Sequence, residues 1–375
     1  MKFTRILSIF AIIFMAGSLI AQAGSNDDKD HSKRRSVKVM VITMFNIGGS
    51  SGPFGETHFW IEREGLTEAI TVPGLSSNFP QVFCKPPAKD NRDKEKNSSD
   101  VCVITTDIGY ANAASSIMAL TLSDLFDFRQ TYFLIAGIAG VDPADGTLGS
   151  AAWSRYSVDF GLAHEIDARE MEAGWPYGYT GFGPVAPGVK PTRIIGTEVY
   201  QLNEALLQKA FALSQNVTLA DNADSQAYRA LYPNPPANQP PKVTICDSMA
   251  VDTYWHGALL SKRANDWAAL LTDGKSNYCM TDEEDNATLT ALKRAANAGL
   301  LDFNRIALLR TASNFDQPHP GQTPFQSLNT RSGGFVPSTT NAYLVGSALV
   351  HDIVSHWKAW QKGVPADAPL TVNPK

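Results

Sequence analysis

Short apolar runs that end in clusters of glycine and small polar residues recur along this chain. The last of them, residues 306–309, leads into Arg310 and then into serine, asparagine and aspartate. Four earlier runs end in a similar way, at residues 37–42, 101–104, 132–135 and 243–246. Runs that are apolar throughout, without alternation, are typical of strands in a sheet covered on both faces. The pattern therefore predicts an open α/β sheet whose strand ends carry the chemistry.

Helical patterns fill the segments between these runs. Three helices are predicted, at residues 112–122, 198–213 and 285–298. Thr197 is placed to cap the second of them, and Gly299 to end the third. A long last helix, capped by Thr339 or Thr340, is expected to run through Trp357. Because strands and helices alternate, the predicted fold class is α/β, a three-layer α/β/α sandwich with a twisted, mixed central sheet.

The N-terminus has the features of a secretory signal peptide. Lys2 and Arg5 precede an apolar stretch, residues 6–20, and residues 21–23 have the small-residue pattern of a cleavage site. The alternative is a membrane anchor, but the stretch is shorter than the roughly 18–20 residues that span a bilayer. We therefore expect residues 1–23 to be removed on export to the periplasm, the cell surface or the medium.

The remainder of the chain is expected to form one domain. Residues 24–36 are polar and charged, which predicts a disordered leader. No repeat or convincing domain boundary follows, so residues 37–375 are assigned to a single domain. No later stretch is long and apolar enough to span a bilayer. The net charge is −5 and no basic stripe is present, which argues against nucleic acid as a partner.

The four cysteines match no zinc-binding spacing. In an oxidising compartment an even number of cysteines permits disulfides, and three pairings are possible here. A bond between Cys84 and Cys102 is favoured, since it would close the charged loop at residues 89–100. The alternative is four buried thiols, because Cys102 and Cys246 lie in apolar runs.

Five segments of the chain resemble the purine nucleoside permease family. They are residues 72–76, 131–141, 163–170, 280–285 and 309–316. The likeness extends from about residue 37 to about residue 360. Members of this family are secreted or cell-surface proteins that are similar in fold and site layout to nucleoside phosphorylases and nucleosidases. The resemblance therefore implies a nucleoside phosphorylase-like fold and a pocket for a purine nucleoside.

Two glutamates are candidates for the sugar side of such a pocket. Cleavage of an N-glycosidic bond needs a carboxylate near the ribose hydroxyls, a donor at purine N7 and a placed water or phosphate. By resemblance, Glu284 accepts from the ribose hydroxyls and Glu56 activates the attacking water. The alternatives stay open, since the acids at residues 282–285 also suit a helix N-terminus and Glu56 also suits a surface helix start. A Gly/Ser insert at residues 46–53 leaves the register of Glu56 undetermined.

The base side of the pocket is assigned to Ser313, Asn314 and Asp316. By resemblance, nucleosidases have an aspartate general acid at the place of Asn314, whereas some phosphorylases have asparagine there. An amide can donate a hydrogen bond to N7 but cannot release its proton. Either hydrogen bonding activates the leaving base, therefore, or Asp316 is the acid. A plain turn after the strand is the alternative for these residues.

Further substrate contacts are expected from residues 247–256. Tyr254 and Trp255 can stack on a purine ring, or they can pack in the core beside the next helix. Met249 lies in the same segment, where relatives build the base-stacking wall. By resemblance, Asn112 lines the sugar and nucleophile pocket, with a helix cap as the alternative.

Two other motifs are less informative. Residues 48–52 fit the G-x-S-x-G pattern of a serine hydrolase, but Pro53 follows where a helix should start. The same loop could bind phosphate through backbone N–H groups, although no arginine is evident nearby. His164 and its acidic neighbours lack a partner at metal-ligand spacing. Neither a metal nor a cofactor is therefore expected.

Two functions follow from these assignments. The first is an exported enzyme, a nucleosidase or nucleoside phosphorylase, that cleaves purine nucleosides in support of their uptake. Hydrolysis is preferred over phosphorolysis because Glu56 can activate water and no phosphate-binding arginine is evident. The second is a nucleoside-binding protein that delivers its ligand for transmembrane transport without catalysis. Since phosphorylases often assemble as dimers or trimers, the resemblance also allows a homo-oligomer.

Overall fold

A large mixed sheet with helices on both faces makes up the body of the protein. The computed structural model describes residues 34–49, 52–87, 97–184 and 186–366. These residues all belong to one compact unit, Lys33–Lys375. The predicted signal peptide and most of the predicted leader lie outside the described residues.

The described residues form the following elements. The strands in chain order are β1 (Arg35–Thr43), β2 (Asn46–Ile47), β3 (Phe54–Gly55), β4 (Glu68–Thr71), β5 (Gln81–Cys84), β6 (Ser98–Thr105), β7 (Phe126–Asp127), β8 (Tyr132–Val141), β9 (Ala151–Trp153), β10 (Tyr156–Asp159), β11 (His164–Glu165), β12 (Tyr179–Thr180), β13 (Val199–Gln201), β14 (Val243–Ile245), β15 (Asp247–Ala250), β16 (Tyr278–Asp282) and β17 (Ile306–Phe315). The helices are α1 (His58–Glu64), α2 (Tyr110–Leu122), α3 (Glu204–Ser214), α4 (Ala223–Arg229), α5 (Ala258–Thr272), α6 (Asp285–Asn297), α7 (Pro324–Leu328), α8 (Phe335–Ser355) and α9 (Trp357–Trp360). None of the described helices has the length and apolar character needed to cross a membrane.

The central sheet contains both parallel and antiparallel pairs. Its main strand order is β13-β10-β15-β16-β8-β1-β6-β5-β4, and β17 also pairs with β8. β1 runs parallel to β6 and β8, and β17 runs parallel to β8. In contrast, β16 is antiparallel to β8, and β5 is antiparallel to β6. The predicted α/β fold with a mixed central sheet is therefore confirmed.

Successive residues of β1 enter two different cores, one on each face of the sheet. Met40 and Ile42 pack in a cluster that includes residues of α2 and α6. Val39 and Val41 pack in the opposite cluster, with residues of α1, α3 and α8. Because both faces are covered, the strand shows no alternation in its sequence. Burial of each such side chain stabilises the fold by roughly 1.5–3 kcal/mol. This packing holds the strand in place, and with it the residues at its end.

The third helix begins later than its sequence pattern predicts. α3 starts at Glu204, because Val199–Gln201 forms an edge strand that pairs with β10. Thr197 therefore does not cap this helix. The cap is Asn203, whose side chain accepts hydrogen bonds from two backbone N–H groups of the first turn. Val199 and the tyrosine after it favour a strand, and a partner strand more than forty residues earlier decides the outcome.

The last long helix begins earlier than predicted. α8 starts at Phe335, so that Thr339 and Thr340 lie inside its first turns rather than at its cap. The Thr339 hydroxyl donates to the carbonyl of Phe335 at 3.1 Å. Such a bond to the carbonyl four residues earlier is typical of a threonine inside a helix rather than at its cap. The helix ends at Ser355, and Trp357 belongs to the separate α9. The predicted bounds of α2 and α6 differ from the observed ones by one or two residues.

Several segments predicted as strand ends are parts of strands. Residues 137–140 belong to β8 and residues 310–314 to β17, because these two strands stay paired as far as Val141 and Phe315. Residues 247–249 belong to β15, which lies between β10 and β16. β1 begins at Arg35, inside the predicted leader. Polar residues that we expected in loops are thus held by the sheet itself.

Two disulfides link the described cysteines. The predicted bond between Cys84 and Cys102 is confirmed, and the two residues face each other in the pairing of β5 with β6. A second bond joins Cys246 to Cys279. No described cysteine is free, so the alternative of four buried thiols is wrong.

Removal of the first disulfide should weaken the fold measurably. Replacing both Cys84 and Cys102 by alanine is expected to lower the free energy of unfolding by about 3 kcal/mol, because the bond closes a loop and restricts the unfolded chain. The two cysteines are separated by 18 residues, and both are fully buried. Urea unfolding of the oxidised wild type and the double variant measures the difference. An unchanged unfolding free energy would contradict this account.

Candidate active site

One cavity, which we call the acidic pocket, gathers most of the predicted site residues. It has a volume of about 210 Å³ and lies where β1 ends, beside the later halves of β8, β16 and β17. Its walls are formed by Met44, Phe45, Glu56, Ile108, Ile138, Ala139, Gly140, Thr253, Tyr254, Trp255, Thr281, Asp282, Glu283, Glu284, Arg310, Ser313 and Asn314. The sheet thus brings together residues from nearly the whole length of the described chain.

Glu56 is held by two backbone N–H groups, one directly after β1 and one in β8. Its Oε2 accepts from the N–H of Met44 at 2.6 Å, and its Oε1 accepts from the N–H of Ile138 at 2.7 Å. The residue is only 1% exposed. Burial raises the pKa of Glu56 from 4.5 to about 7, against the opposing effect of the Arg310 charge. A carboxyl group that ionises near neutral pH is suited to act as a general base.

Arg310 provides positive charge to the acidic pocket and is itself 1% exposed. Its Nη1 donates to the carbonyl of Ile138 at 2.9 Å. Its Nη2 donates to three carboxylates: Asp282 at 3.2 Å, Glu284 at 3.1 Å and Asp285 at 2.6 Å. Nε also donates to Asp285. Most N–H groups of this arginine are therefore committed to carboxylates within the protein.

Glu284 lies between Arg310 and the start of α2. Its Oε2 accepts from Arg310, and its Oε1 accepts from the N–H of Gly109 at 3.3 Å. Burial raises the pKa of Glu284, although the charge of Arg310 opposes the shift. The helix-start role also exists in this segment, because Asp282 accepts from the N–H groups of residues 284 and 285. The helix-start alternative is therefore observed at Asp282, and the ribose contact of Glu284 stays a prediction.

The acidic pocket has more acids than bases. Glu56, Asp282, Glu283 and Glu284 line it, and Arg310 is the sole cation among its described lining residues. Burial is the main cause that raises the pKa of each of these four acids. In their ionised forms these acids favour positive charge on a ligand and oppose the entry of a phosphate dianion.

Ser313 and Asn314 of β17 also line the acidic pocket. The pairing of β17 with β8 is irregular between Ala312 and Asn314, which turns the side chains at this point of the strand. The Ser313 hydroxyl donates to Asn314 Oδ1 at 2.9 Å, and Asn314 Nδ2 donates to the carbonyl of Phe315 at 3.0 Å. One amide hydrogen of Asn314 therefore remains for a ligand.

Tyr254 and Trp255 also line the acidic pocket. Tyr254 is 53% exposed, whereas Trp255 is 6% exposed. The indole N–H of Trp255 is buried without a hydrogen-bond partner in the described part of the chain. Trp255 also packs against Phe160, with 5.2 Å between the ring centroids. Trp255 therefore packs in the core and also forms part of the pocket wall.

Three predicted site residues lie outside the walls of the acidic pocket. Asn112 is exposed on α2, and its amide donates to a backbone carbonyl of the preceding turn at 2.8 Å. Met249 is fully buried in the core, because its segment is a strand and not a strand end. Asp316 is fully buried and accepts from the Tyr278 hydroxyl at 2.7 Å. Burial raises the pKa of Asp316 well above its usual range, and the residue does not line the pocket.

Sequence reasoning missed the parts of the site that depend on backbone contacts. It assigned no role to Arg310, Met44 or Ile138. Gly137 is equally important, since a Cβ atom there would lie 2.6 Å from both Arg310 Nη1 and Met44 Cε, and 2.8 Å from Glu56 Oε1. An arginine directly after a buried apolar run is the one signal that could have indicated this centre.

The two weaker motifs add nothing to the acidic pocket. Ser50 and Ser51 lie outside the described residues, and no described residue of 48–52 lines its walls. His164 is exposed in β11, and the nearby Asp167 accepts from Arg169 at 2.8 Å. Within the described ranges, no group of three or more His, Cys, Asp or Glu residues is arranged to hold a metal ion.

Comparison with known proteins relates this chain to one family. A family model described as purine nucleoside permease matches residues 36–365. The chain is 36% identical over 332 residues to a purine nucleoside permease of Candida albicans, covering 87% of this chain and 77% of that protein. It is also 36% identical over 345 residues to a probable purine nucleoside permease of Schizosaccharomyces pombe, covering 87% of this chain and 92% of that protein.

A solved structure is similar at the level of the chain trace. It is the 5′-methylthioadenosine/S-adenosylhomocysteine nucleosidase of Neisseria meningitidis, with 12% identity and a TM-score of 0.48 over 84% of this chain and 99% of that one. A likeness of this size says nothing about the chemistry of the pocket. The family match, in contrast, covers most of the chain, and the fungal relatives share more than a third of the aligned residues. The chain therefore belongs to the purine nucleoside permease family.

Proposed function

We propose that this protein hydrolyses the N-glycosidic bond of purine nucleosides in the acidic pocket. The observation that carries the proposal is Glu56, a carboxyl group that lines the same small cavity as Glu284 and Arg310 and whose pKa burial raises to about 7. In its ionised form Glu56 removes a proton from a water molecule, which attacks the anomeric carbon. The bond from that carbon to the purine nitrogen breaks, and the base leaves with the bonding electrons.

The charge balance of the pocket supports hydrolysis rather than phosphorolysis. The ribose gains positive charge in the transition state, and the surplus of carboxylates stabilises that charge. Glu284 is also placed to accept from ribose hydroxyls. Arg310, the cation that a phosphate would need, already donates to three carboxylates. Water is therefore the nucleophile that these residues suit best.

Asn314 is the group proposed to assist departure of the base. Its remaining amide hydrogen can bind purine N7 as negative charge develops there, which stabilises the leaving group without proton transfer. Asp316 lies behind the wall and has its bond to Tyr278, so we assign no acid step to it. Tyr254 and Trp255 are placed to contact the face of the purine.

The rate of cleavage should depend on the ionisation of Glu56. Because the general base works only as a carboxylate, kcat/KM should fall about tenfold per pH unit below pH 7 and level off above it. Initial rates with inosine between pH 5 and pH 9 test this profile. Burial raises the pKa of the neighbouring Glu283 to about 7 as well, so the Glu283→Gln variant is the control. A profile whose inflection disappears in that variant would assign the titration to Glu283 instead.

Product analysis decides the reaction type. The protein is incubated with inosine and with adenosine, in the presence and absence of phosphate, and the sugar product is identified. We expect free ribose in both conditions. Ribose 1-phosphate that forms only with phosphate would replace hydrolysis by phosphorolysis. Binding of both nucleosides without any product would favour a protein that delivers nucleosides to a transporter.

We also propose that the protein is exported and that cleavage supports nucleoside uptake. Residues 1–23 carry the signal-peptide features, and the two disulfides suit an oxidising compartment. Sequencing the N-terminus of the protein recovered outside the cytoplasm should give a start at about Gly24. A retained Met1 would contradict the proposal. Assembly into a homo-oligomer stays a prediction.

A further inference from the structure

A second cavity, of about 820 Å³, lies beside the acidic pocket. Thr253 and Trp255 line both cavities. From these residues the second cavity extends past the start of α2 and the end of β10 to the facing sides of α5 and α6. The proposed hydrolysis uses none of the groups that line it beyond Trp255.

Arg263 of α5 lines the second cavity and is only 3% exposed. Three other arginines in the described chain are similarly buried, namely Arg229, Arg305 and Arg310. Each of those three pairs with a carboxylate: Asp221, Asp302 and Asp285 respectively. Arg263 has no such ion pair with any described residue, and its Nε is buried without a hydrogen-bond partner. A buried charge without a counter-charge is unfavourable. Because the described residues supply no carboxylate that pairs with Arg263, this position suits an anionic ligand.

Two aromatic rings hold the Arg263 guanidinium in one orientation. Its central carbon lies 3.8 Å from the ring centre of Phe160 and 3.6 Å from that of Tyr179. Such stacking occupies the faces of the guanidinium plane and leaves the N–H groups at its edge. Nη2 donates to the carbonyl of Phe160 at 2.9 Å, which uses one of those N–H groups. The remaining donors are therefore fixed in direction, as in a site built for a planar or tetrahedral anion.

The carboxylates of the second cavity already have donors of their own. Asp159 accepts from the Tyr110 hydroxyl at 3.0 Å and from two backbone N–H groups. Asp252 accepts from the N–H of Tyr110 at 2.6 Å, and Glu165 accepts from the Tyr179 hydroxyl at 2.8 Å. These bonds satisfy oxygen atoms of the acids, and none of them comes from Arg263. Burial lowers the pKa of Arg263 to about 10, and the charges of Glu165 and Asp159 oppose this shift only in part.

The second cavity adjoins the ribose side of the acidic pocket. The N–H of Gly109 donates to Glu284, the proposed ribose contact, while the next N–H along the chain donates to Asp252. Asn286 and Ala287, which line the second cavity, follow Glu284 closely in sequence. Of the four proposed contacts of the base, Ser313, Asn314 and Tyr254 line only the acidic pocket, whereas Trp255 lines both cavities. A substituent on the ribose is therefore the part of a ligand that would enter the second cavity.

We propose that the second cavity binds an anionic group, a carboxylate or a phosphate, through Arg263, and that this group is a ribose substituent of the nucleoside in the acidic pocket. The inference rests on the proposed function and adds a substrate class to it, purine nucleosides that carry an acidic group on the sugar. A hydrogen bond to a charged partner at a desolvated site changes affinity by about 10- to 100-fold. We expect an effect of that size from Arg263.

Binding of uncleavable analogues tests the proposal. The probes are 9-deazaadenosine, in which a carbon–carbon bond replaces the N-glycosidic bond, and its 5′-phosphate and 5′-carboxylate derivatives. Their dissociation constants are measured calorimetrically with the full chain as wild type and as the Arg263→Gln variant. Lys262→Gln is the matched control, because Lys262 is the neighbouring cation and pairs with Asp266 on the surface. Arg263→Lys, which keeps the charge but not the planar donors, is the second variant.

The expected result is selective. Arg263→Gln should weaken binding of at least one charged analogue about 10- to 100-fold and leave the neutral analogue unchanged. Arg263→Lys should keep part of the preference, and Lys262→Gln should keep all of it. Comparison of the phosphate with the carboxylate then identifies the group that the cavity accepts.

Other outcomes overturn the proposal in distinguishable ways. Equal affinity of the charged analogues for wild type and both Arg263 variants removes the anion site but leaves the proposed function intact. If the Arg263 variants bind the neutral analogue as much more weakly as they bind the charged ones, Arg263 only supports the structure of the acidic pocket. If the neutral analogue fails to bind the wild type, the proposed function itself fails. Inorganic phosphate that binds as tightly as the phosphorylated analogue would make the anion site independent of the nucleoside.

Discussion

The Glu56→Gln variant should cleave purine nucleosides about 10²- to 10⁴-fold more slowly than the wild type, with little change in affinity. Glutamine has nearly the same shape as the protonated acid but cannot accept a proton from water. Since Glu56 is bound by the N–H groups of Met44 and Ile138, the amide oxygen can still accept one of the two bonds. Single-turnover rates with inosine, together with the dissociation constant, separate chemistry from binding.

Glu64→Gln is the matched control for this variant. Glu64 is also a buried glutamate, 7% exposed, but its bonds go to the side chains of Tyr343 and His351 rather than to the acidic pocket. We expect normal turnover after this change. If Glu56→Gln loses binding along with turnover, Glu56 is a ligand contact rather than the base. If it retains turnover, another group activates the water.

Arg310→Met should lower the free energy of unfolding by about 3–5 kcal/mol at pH 8, the largest stability effect that we expect from one substitution. The change leaves Asp282, Glu284 and Asp285 buried without their shared counter-charge. Burial already raises the pKa of Asp282 and Glu284 in the folded protein. Loss of the arginine raises these values further.

The pH dependence of the Arg310 variant follows from those shifts. An acid whose pKa is higher in the folded state than in the unfolded state stabilises the fold at low pH, and that stability is lost as the pH rises. The deficit of the variant should therefore be larger at pH 8 than at pH 5. Urea unfolding at both values measures it. Arg229→Met, which breaks a buried pair with a single carboxylate, is the comparison and should show a smaller deficit with weaker pH dependence.

Strands that are buried on both faces of the sheet have continuous apolar runs in the sequence, and the sheet could be predicted from these runs. Val39 and Met40 face opposite cores, so the whole run reads as apolar. The pair Cys84–Cys102 could be predicted because the two residues flank one loop. β13 could not, since its two strand-favouring residues form a strand only where they pair with β10. Partners that are distant in sequence decide such elements, and local patterns do not contain them.

The candidate site divides in the same way. Glu56 and Glu284 could be named from the resemblance, and the fold brings both into one cavity. Arg310 could not be assigned, because its three carboxylates come from the end of β16 and the start of α6 and meet it only through the pairing of the strands. The place of Asp316 behind the wall depends on the irregularity of β17 near Asn314, which alters the alternation of side chains. Residue type alone cannot show which face a side chain takes after such an irregularity.

Gly137 provides a way to sort the relatives of this protein. The missing side chain is what allows Met44, Glu56 and Arg310 to converge on one point. Glu56 and Arg310 are both tied to the backbone of Ile138, so neither can yield to an added methyl group without breaking those bonds. A related chain that keeps the glutamate and the arginine but has a larger residue here must build a different pocket. This one position therefore separates members that share this active-site geometry from those that share only the fold.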